Sequence, residues 1–280
     1  MLVAVIWGFA FVATRVGLDS FSPSQLAALR FLIASTPAIA LKRPAPWRVL
    51  IPLGLTLFAG QFLLQFFGIA NGMPPGLASI VVQTQAFFTI LFAAVAMHEL
   101  PSPQQLAGIA VAFAGLGLIA LTIGGDLSFI GFALTLGSAI SWGVGNVLLK
   151  RVASVDMLSL MAWLSLVLPI PSLALAMLMD ERAEFAAIAR VSWLGLGAAL
   201  YLGLVATVGA YAIWGRLLAR YPAATVTPFA LLAPIVGAYS SSLVFGERFG
   251  GRRLAGMALV LLGVAVTVLT GFRRGARVSA

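Results

Sequence analysis

Five side-chain amides stand inside the long apolar stretches of this chain, where few other polar groups occur: Gln61, Gln65, Gln83, Gln85 and Asn146. An amide in apolar surroundings must hydrogen-bond to another part of the protein or to a bound molecule, because an unpaired donor or acceptor is unfavourable there. Amides offer both donors and acceptors without a net charge. The chemistry that they could perform is therefore the binding of polar or zwitterionic groups.

The spacing of the four glutamines predicts which of them share a face. Gln61 and Gln65 are four residues apart and lie on the same side of a helix. Gln83 and Gln85 are two residues apart and diverge by about 200° on a helix. We expect one of this second pair to face a cavity and the other to bond a neighbouring helix. For each single amide, contact with a bound molecule and contact with another helix are both consistent with the sequence.

Three aromatic residues lie deeper in their apolar stretches than the other Trp and Tyr residues, which stand near stretch ends where such rings usually meet water. These three are Trp163, Tyr211 and Tyr239. We predict that their rings cover the apolar part of a bound molecule while the amides bind its polar part. The candidate binding residues are thus Gln61, Gln65, Gln83, Gln85, Asn146, Trp163, Tyr211 and Tyr239.

Two arginines also fall within the apolar stretches. Arg15 stands near a stretch end, where a long basic side chain can reach water, and it can pair with Asp19 one turn later. Arg30 lies about one turn inside the end of its stretch. Reaching out to the surface explains both side chains without a ligand. If either one turns inward, its guanidinium can hold a carboxylate through two parallel hydrogen bonds.

The sequence does not support catalysis or metal binding. No Asp or Glu falls in the middle of an apolar stretch, Cys is absent, and His98 is the only His. His98-Glu99 does not begin a zinc-protease motif, because Ser102 stands where the second His would be. We therefore expect no enzymatic activity, no metal and no cofactor. A proton relay built from buried carboxylates is not visible either, although a substrate can itself carry a proton.

Composition places these residues in a lipid bilayer. Hydrophobic residues make up 61% of the chain, charged residues make up 9%, and the mean hydropathy is +1.08. A soluble domain carries about 25% charged residues. The net charge of +9 does not indicate a nucleic-acid partner, because membrane proteins collect Lys and Arg in their cytoplasmic loops.

Ten apolar segments of transmembrane length are predicted. They lie near residues 2–20, 25–41, 49–70, 76–97, 104–122, 128–149, 157–179, 192–217, 223–245 and 253–272. Helices two and five are expected to begin with a capping box, at Ser22-Pro23-Ser24-Gln25 and Ser102-Pro103-Gln104-Gln105. With a cytoplasmic N-terminus, inside loops and the C-terminal tail hold ten of the 17 basic residues and outside loops hold five. This count favours cytoplasmic termini at both ends.

Two motifs occur twice in the chain. A Trp-Gly pair, followed by a basic residue eight positions after the Trp, begins at Trp7 and returns 135 residues later at Trp142. A Leu-Ala-Gly motif returns after 148 residues, with a second glycine seven residues further on in each copy: Gly108, Gly115, Gly256 and Gly263. Each copy holds five segments, and an odd number inserts the second copy upside down. The fold predicted is an all-α integral membrane protein of ten transmembrane helices in two inverted five-helix repeats, 1–124 and 125–280.

Several stretches resemble the EamA family of the drug/metabolite transporter superfamily. They are residues 72–79 and 83–89, Trp7-Gly8, Leu29-Arg30-Phe31 and residues 211–215. The resemblance implies a ten-helix bacterial inner-membrane exporter of small metabolites, with substrates of the O-acetylserine and cysteine type. Glu99 and Glu247 occupy the positions that follow spans four and nine in this family, where helix termination and interhelical pairing explain them.

The repeats and the resemblance together predict a secondary transporter that exports small amino-acid-like metabolites by alternating access. Its partners would be a small-molecule metabolite and the lipid bilayer. Broad-specificity efflux of aromatic or other amphipathic compounds is the alternative, and cationic compounds would favour an inward carboxylate that is not visible. A membrane scaffold without transport activity is a third possibility. The sequence leaves the oligomeric state open, and a monomer is compatible with it.

Overall fold

The computed structural model describes residues 1–152, 155–180 and 191–278. In this part of the chain all long elements are helices, and no β-strand is present. The helices are α1 (Leu2–Gly17), α2 (Pro23–Ala34), α3 (Trp47–Ala70), α4 (Pro75–Met97), α5 (Pro103–Ala120), α6 (Phe129–Lys150), α7 (Met157–Met179), α8 (Trp193–Arg220), α9 (Thr227–Phe245) and α10 (Gly251–Val278).

Eight of these helices, α3 to α10, are long and apolar enough to cross a membrane by length and composition. Helix α1 is apolar but has 16 residues, and α2 has 12 residues before a short 3-10 turn at Thr36–Ile39. The predicted all-helical membrane fold is therefore confirmed for the described residues. The count of ten spans and the inverted insertion of the second half stay predictions.

The predicted capping boxes start α2 and α5. Ser22 Oγ accepts a hydrogen bond from the backbone N–H of Gln25, and Gln25 Oε1 accepts one from the backbone N–H of Ser22. Ser102 and Gln105 make the same two bonds. In both helices a proline is the first residue. Its lack of an N–H costs no hydrogen bond there, because the first N–H groups of a helix have no partner within the helix.

Helices α3 and α8 each contain a π-helical stretch, at Gly54–Leu63 and Tyr201–Gly209. In α3 the stretch follows Pro52, which has no N–H to donate to the preceding turn. Such wide turns shift the register of side chains and often occur at functional sites. The two stretches lie at corresponding places in the sequence of the two halves, so the irregular backbone recurs in both.

Among the described helices, the most extensive contact joins α5 and α10 and includes the repeated glycines. A Cβ atom added to Gly108 would lie 2.9 Å from the carbonyl oxygen of Gly263, and one added to Gly115 would lie 2.6 Å from that of Gly256. Both distances are too short for a side chain, so only glycine permits this approach. We call this contact the glycine seam. In the two copies of the motif, Gly108 corresponds to Gly256 and Gly115 corresponds to Gly263. The contact between Gly108 and Gly263 is therefore the repeat equivalent of the contact between Gly115 and Gly256.

A second pair of helix contacts is also related by the offsets of the two sequence motifs. Gly8 of α1 packs against Val236 of α9, and Gly143 of α6 packs against Phe88 of α4. Gly143 follows Gly8 by 135 residues and Val236 follows Phe88 by 148 residues, which are the offsets of the two sequence motifs. In each copy, the glycine of the Trp-Gly motif thus packs against the equivalent helix of the other half.

Candidate functional site

Gln61 and Gln65 form a buried polar pair within α3. Their side chains are 4% and 5% exposed, and Gln61 Nε2 donates to Gln65 Oε1 over 2.7 Å. The predicted shared face is therefore confirmed. The carbonyl oxygen Oε1 of Gln61 is buried and accepts no hydrogen bond. A buried acceptor without a donor is rare in folded proteins, and it leaves a position where a bound N–H or O–H group could donate.

Arg30 of α2 points into the helix bundle. It is 4% exposed, and its guanidinium carbon lies 4.2 Å from the ring centre of Phe62 and 5.1 Å from that of Phe31. Its Nε donates to Thr207 Oγ1 over 3.3 Å. None of the ion pairs in the described part of the chain involves Arg30. The interpretation that Arg30 reaches out to the surface is wrong, whereas Arg15 does lie at the surface in the predicted pair with Asp19.

A close approach of α2 to α8 explains the inward direction of Arg30. A Cβ atom on Gly203, in the π-helical stretch of α8, would lie 2.9 Å from the carbonyl oxygen of Arg30 and 2.6 Å from Ile33 Cγ2. The missing side chain lets the two backbones come together beside Thr207. The guanidinium then fills the space between α2, α3 and α8, where aromatic ring faces attract it.

Aromatic side chains extend this site toward α1 and α6. The Trp7 ring lies 5.3 Å from Tyr211 and 5.2 Å from Trp214, and Trp7 Nε1 donates to the carbonyl oxygen of Ala206 over 3.1 Å. Trp142 lies 6.3 Å from Phe62. The two Trp residues of the repeated Trp-Gly motif therefore belong to the aromatic packing around the site. Their position near a helix end predicts a role at the membrane interface. The repetition of the Trp-Gly motif is the feature of the sequence that could have identified both Trp residues as part of the site.

The other predicted amides have local partners. Asn146 Nδ2 donates to Thr89 Oγ1 over 3.0 Å and so ties α6 to α4. Gln83 Nε2 donates to the carbonyl oxygen of Ser79 in its own helix over 3.3 Å. Gln85 is half-buried. The structure does not bring these three amides into contact with the Gln61–Gln65 pair.

Trp163 and Tyr239 lie apart from the buried polar pair. Trp163 Nε1 donates to the carbonyl oxygen of Leu41 over 3.0 Å, and its ring meets Trp47 edge to face at 5.7 Å. Trp163 thus anchors the connection between α2 and α3 to α7. The Tyr239 side chain is 66% exposed on α9, so its ring lies at the outer surface of the helix bundle. Depth in the apolar stretch does not determine which way a ring points.

A cleft of about 300 Å³ opens between the start of α1, the end of α8 and the start of α9. Its walls are mostly apolar and include Leu2, Leu217 and Phe229. Trp214, which packs on Trp7, also lines it. The cleft therefore approaches the aromatic rings of the site from one end of the bundle.

The start of α6 is packed tightly against the end of α3 and the connection that follows it. A Cβ atom on Gly131 would lie 2.6 Å from the backbone nitrogen of Met73. Gly68 of α3 packs against Thr135 of α6 in the same way.

Two carboxylates bind across helix connections. Asp126, which precedes α6, accepts two hydrogen bonds of 2.7 Å from the guanidinium of Arg253, and this bonding lowers the pKa of Asp126. Glu247, between α9 and α10, accepts hydrogen bonds from Ser241 Oγ and from the backbone N–H of Gly76. Burial raises the pKa of Glu247 above its ordinary value. The interhelical role expected of Glu247 is therefore seen, but its partners are on α9 and α4.

This arrangement can bind a small polar molecule but offers no nucleophile paired with a base. The apolar bundle holds a buried cation that lies against several rings, and it also holds a buried amide oxygen that accepts no hydrogen bond. No group of three or more His, Asp or Glu residues that could hold a metal occurs among the described residues. Binding of a small polar molecule is the activity that these groups support.

Comparison with known proteins agrees with that chemistry. A probable amino-acid metabolite efflux pump of Salmonella typhimurium is 40% identical over 100% of this chain and 97% of its own. One of Escherichia coli is 39% identical over 96% and 93%. A solved crystal structure of a protein that is 20% identical superposes with a TM-score of 0.66 over 96% of this chain and 95% of its own, which supports the fold.

The sequence profile of the EamA-like transporter family matches residues 1–121 and 129–269. Together these matches span almost the whole chain, and the family and the named relatives are transporters rather than enzymes. The apolar helices agree with a multi-pass membrane protein. The chain belongs to the EamA-like transporter family.

Proposed function

We propose that this protein is a secondary transporter of the bacterial inner membrane that exports small amino-acid-like metabolites of the O-acetylserine and cysteine type. The observation that carries the proposal is the burial of Gln61, Gln65 and Arg30, which are polar or charged, inside an apolar bundle. A structural membrane protein has no need of a free buried acceptor and an unpaired guanidinium. The names of the two relatives at about 40% identity support the substrate class.

Ten spans in two inverted repeats, 1–124 and 125–280, are the architecture that we propose. The glycine seam supports it, because its two contacts exchange when the halves exchange. The contacts of Gly8 with Val236 and of Gly143 with Phe88 follow the same rule. A two-fold axis in the membrane plane, passing between α5 and α10, is the simplest relation that produces both pairs.

Alternating access would follow from the proposed inverted repeat. In this structure a cleft is open between the start of α1, the end of α8 and the start of α9. If the two halves exchanged their arrangements, this cleft would close and one at the opposite end of the bundle would open. With both termini in the cytoplasm, as the Lys and Arg distribution favours, the open cleft faces the cytoplasm and would admit substrate for export.

The substrate contacts that we propose fall into two groups. Gln61, Gln65 and Tyr211 would contact substrate directly in this arrangement. The remaining candidates would contact substrate in the opposite arrangement or hold the helices that move: Gln83, Gln85, Asn146, Trp163 and Tyr239. The half-buried amide of Gln85 is the member of its pair that stays available to a substrate, because Gln83 bonds its own helix.

Uptake into proteoliposomes tests the proposed function. Labelled O-acetyl-L-serine, L-cysteine and a panel of neutral amino acids would be offered with and without an imposed pH gradient. We expect saturable uptake of at least one of them, reduced about tenfold or more by Gln65→Ala, because the variant leaves Gln61 without its buried partner. Gln104→Ala is the matched control, since Gln104 is exposed at the start of α5. Folded protein that takes up none of these compounds would contradict the proposal.

Efflux of aromatic or amphipathic compounds is the second candidate function. The apolar cleft beside Trp214 and Phe229 favours it, because such walls accept ring systems with little specificity. The same assay discriminates the two functions. Competition by uncharged aromatic compounds that lack an amino-acid group, with no saturable amino-acid uptake, would favour broad efflux.

A further inference from the structure

We infer that Arg30 binds the carboxylate of the substrate, so that a free carboxylate is required for transport. This inference rests on the proposed function and names the chemical group that the site selects. It does not follow from the family assignment, because it depends on the inward direction of one side chain. Three features of the described structure support it: the unused donors of Arg30, its missing counter-charge and the free acceptor of Gln61.

Most hydrogen-bonding capacity of Arg30 is unused. A guanidinium carries five N–H donors in a planar fork, and among the described residues only the Nε of Arg30 has a partner, Thr207 Oγ1 at 3.3 Å. The terminal nitrogens Nη1 and Nη2 make no hydrogen bond in that part of the chain. Two parallel N–H groups of this kind match the two oxygens of a carboxylate.

The second feature is charge. A buried cation in an apolar bundle is unfavourable unless an anion pairs with it. The faces of Phe62 and Phe31 compensate only part of that cost. Arg253 shows what this chain does for a structural arginine: both oxygens of Asp126 lie 2.7 Å from its nitrogens. No described carboxylate does the same for Arg30, so a bound anion is left to supply the charge.

The third feature explains why the anion would belong to an amino acid. Gln61 Oε1 is a buried acceptor without a donor, and Gln61 is the chain neighbour of Phe62, whose ring underlies the guanidinium. A molecule with a carboxylate at one end and an ammonium or other N–H group nearby would satisfy Arg30 and Gln61 together. A phosphate or a dicarboxylate would call for more than one buried cation, and this centre has one.

Matched pairs of ligands test the inference. Purified full-length protein would be offered L-cysteine and L-serine together with L-cysteinamide and L-serinamide, which keep the amino group and lose the carboxylate. Binding would be measured as the ligand-induced rise in melting temperature, and transport as counterflow in proteoliposomes. We expect the wild type to prefer the acids over the amides on the order of 100-fold. Arg30→Gln should abolish this preference.

Two further variants separate a binding role from a structural one. Arg30→Gln removes an unpaired buried charge, so its melting temperature without ligand should equal or exceed that of the wild type. Arg253→Gln breaks a paired arginine and should lower the melting temperature, yet keep the preference for acids. Arg30→Lys keeps the charge without the planar fork and should retain part of the preference. It also serves as the test if Arg30→Gln does not accumulate.

The outcomes that would overturn the inference are distinct from those that would overturn the proposed function. An unchanged preference for acids in Arg30→Gln or, failing that variant, in Arg30→Lys would reject the role of Arg30 and leave the exporter standing. Equal use of acids and amides by the wild type would reject the carboxylate requirement alone. No binding or transport of any acid or amide by folded wild type would reject both.

Discussion

At the scale of single residues, the same side-chain types serve different purposes according to their partners. Arg253 is held by Asp126 and connects α10 to the loop before α6, whereas Arg30 has ring faces and one hydroxyl around it. Asn146 is paired between helices, whereas Gln61 keeps a free oxygen. Unused hydrogen-bonding capacity, more than residue type, marks the candidate site.

Glu247 carries a prediction about pH. Its pKa is raised by burial in the folded protein, so the protonated form is favoured there. The stability contributed by this group is full at pH values below its unfolded pKa and is lost as pH rises through the folded pKa. Glu247→Gln keeps an acceptor for Ser241 and Gly76 without the charge. We expect a melting temperature at neutral pH equal to or above that of the wild type, with a smaller fall from acid to neutral pH.

Glu99→Gln is the control for this measurement. Glu99→Gln makes the same chemical change at an exposed position beside Lys150, so a smaller fall in melting temperature that occurs in Glu247→Gln alone would be assigned to Glu247. Thermal unfolding in detergent across that pH range gives all three curves. An unchanged slope in Glu247→Gln would show that another group is responsible.

At the scale of elements, local sequence explains where helices begin. Ser102→Ala should remove the N-terminal cap of α5 and lower the free energy of unfolding by about 1 kcal/mol, because one backbone N–H loses its acceptor. Gln105→Ala removes the reciprocal bond and should act in the same direction. Gln104→Ala, between them and exposed, should have no effect. Thermal unfolding of the three variants is the measurement, and equal effects at all three positions would contradict the capping role.

At this scale, the sequence predicts those features that depend on residues close together in the chain. The capping boxes follow from a Ser and a Gln three residues apart, and the shared face of Gln61 and Gln65 follows from their spacing of four. The direction of Arg30 depends on Gly203, more than 170 residues away, which no local pattern records. The π-helical stretches, the outward direction of Tyr239 and the anchoring of Trp163 are likewise decided by packing between distant elements.

At the scale of the whole molecule, the glycine seam joins the two halves. Gly115→Ala would place a Cβ atom 2.6 Å from the carbonyl oxygen of Gly256, a distance that forces α5 and α10 apart. We expect a lower melting temperature and reduced accumulation in the membrane. Gly117→Ala is the matched control on the same helix, because nothing lies within 4 Å of an added Cβ there. It should accumulate at least as well as the wild type, and equal losses in both variants would argue against the seam.

The glycine seam also indicates which helices can keep their relative position during transport. Along it the glycines approach backbone carbonyl oxygens as well as the side chains of Ile119, Leu259 and Thr267, so the contact leaves little space for a relative displacement of the two helices. In the proposed two-fold arrangement, the exchange of halves maps α5 and α10 onto each other and returns the same contact. The contact between α5 and α10 would therefore stay the same in both states of the transport cycle, while the surrounding helices move. A covalent bridge between α5 and α10 should then leave transport unaffected, whereas a bridge across the cleft between α1 and α8 should stop transport.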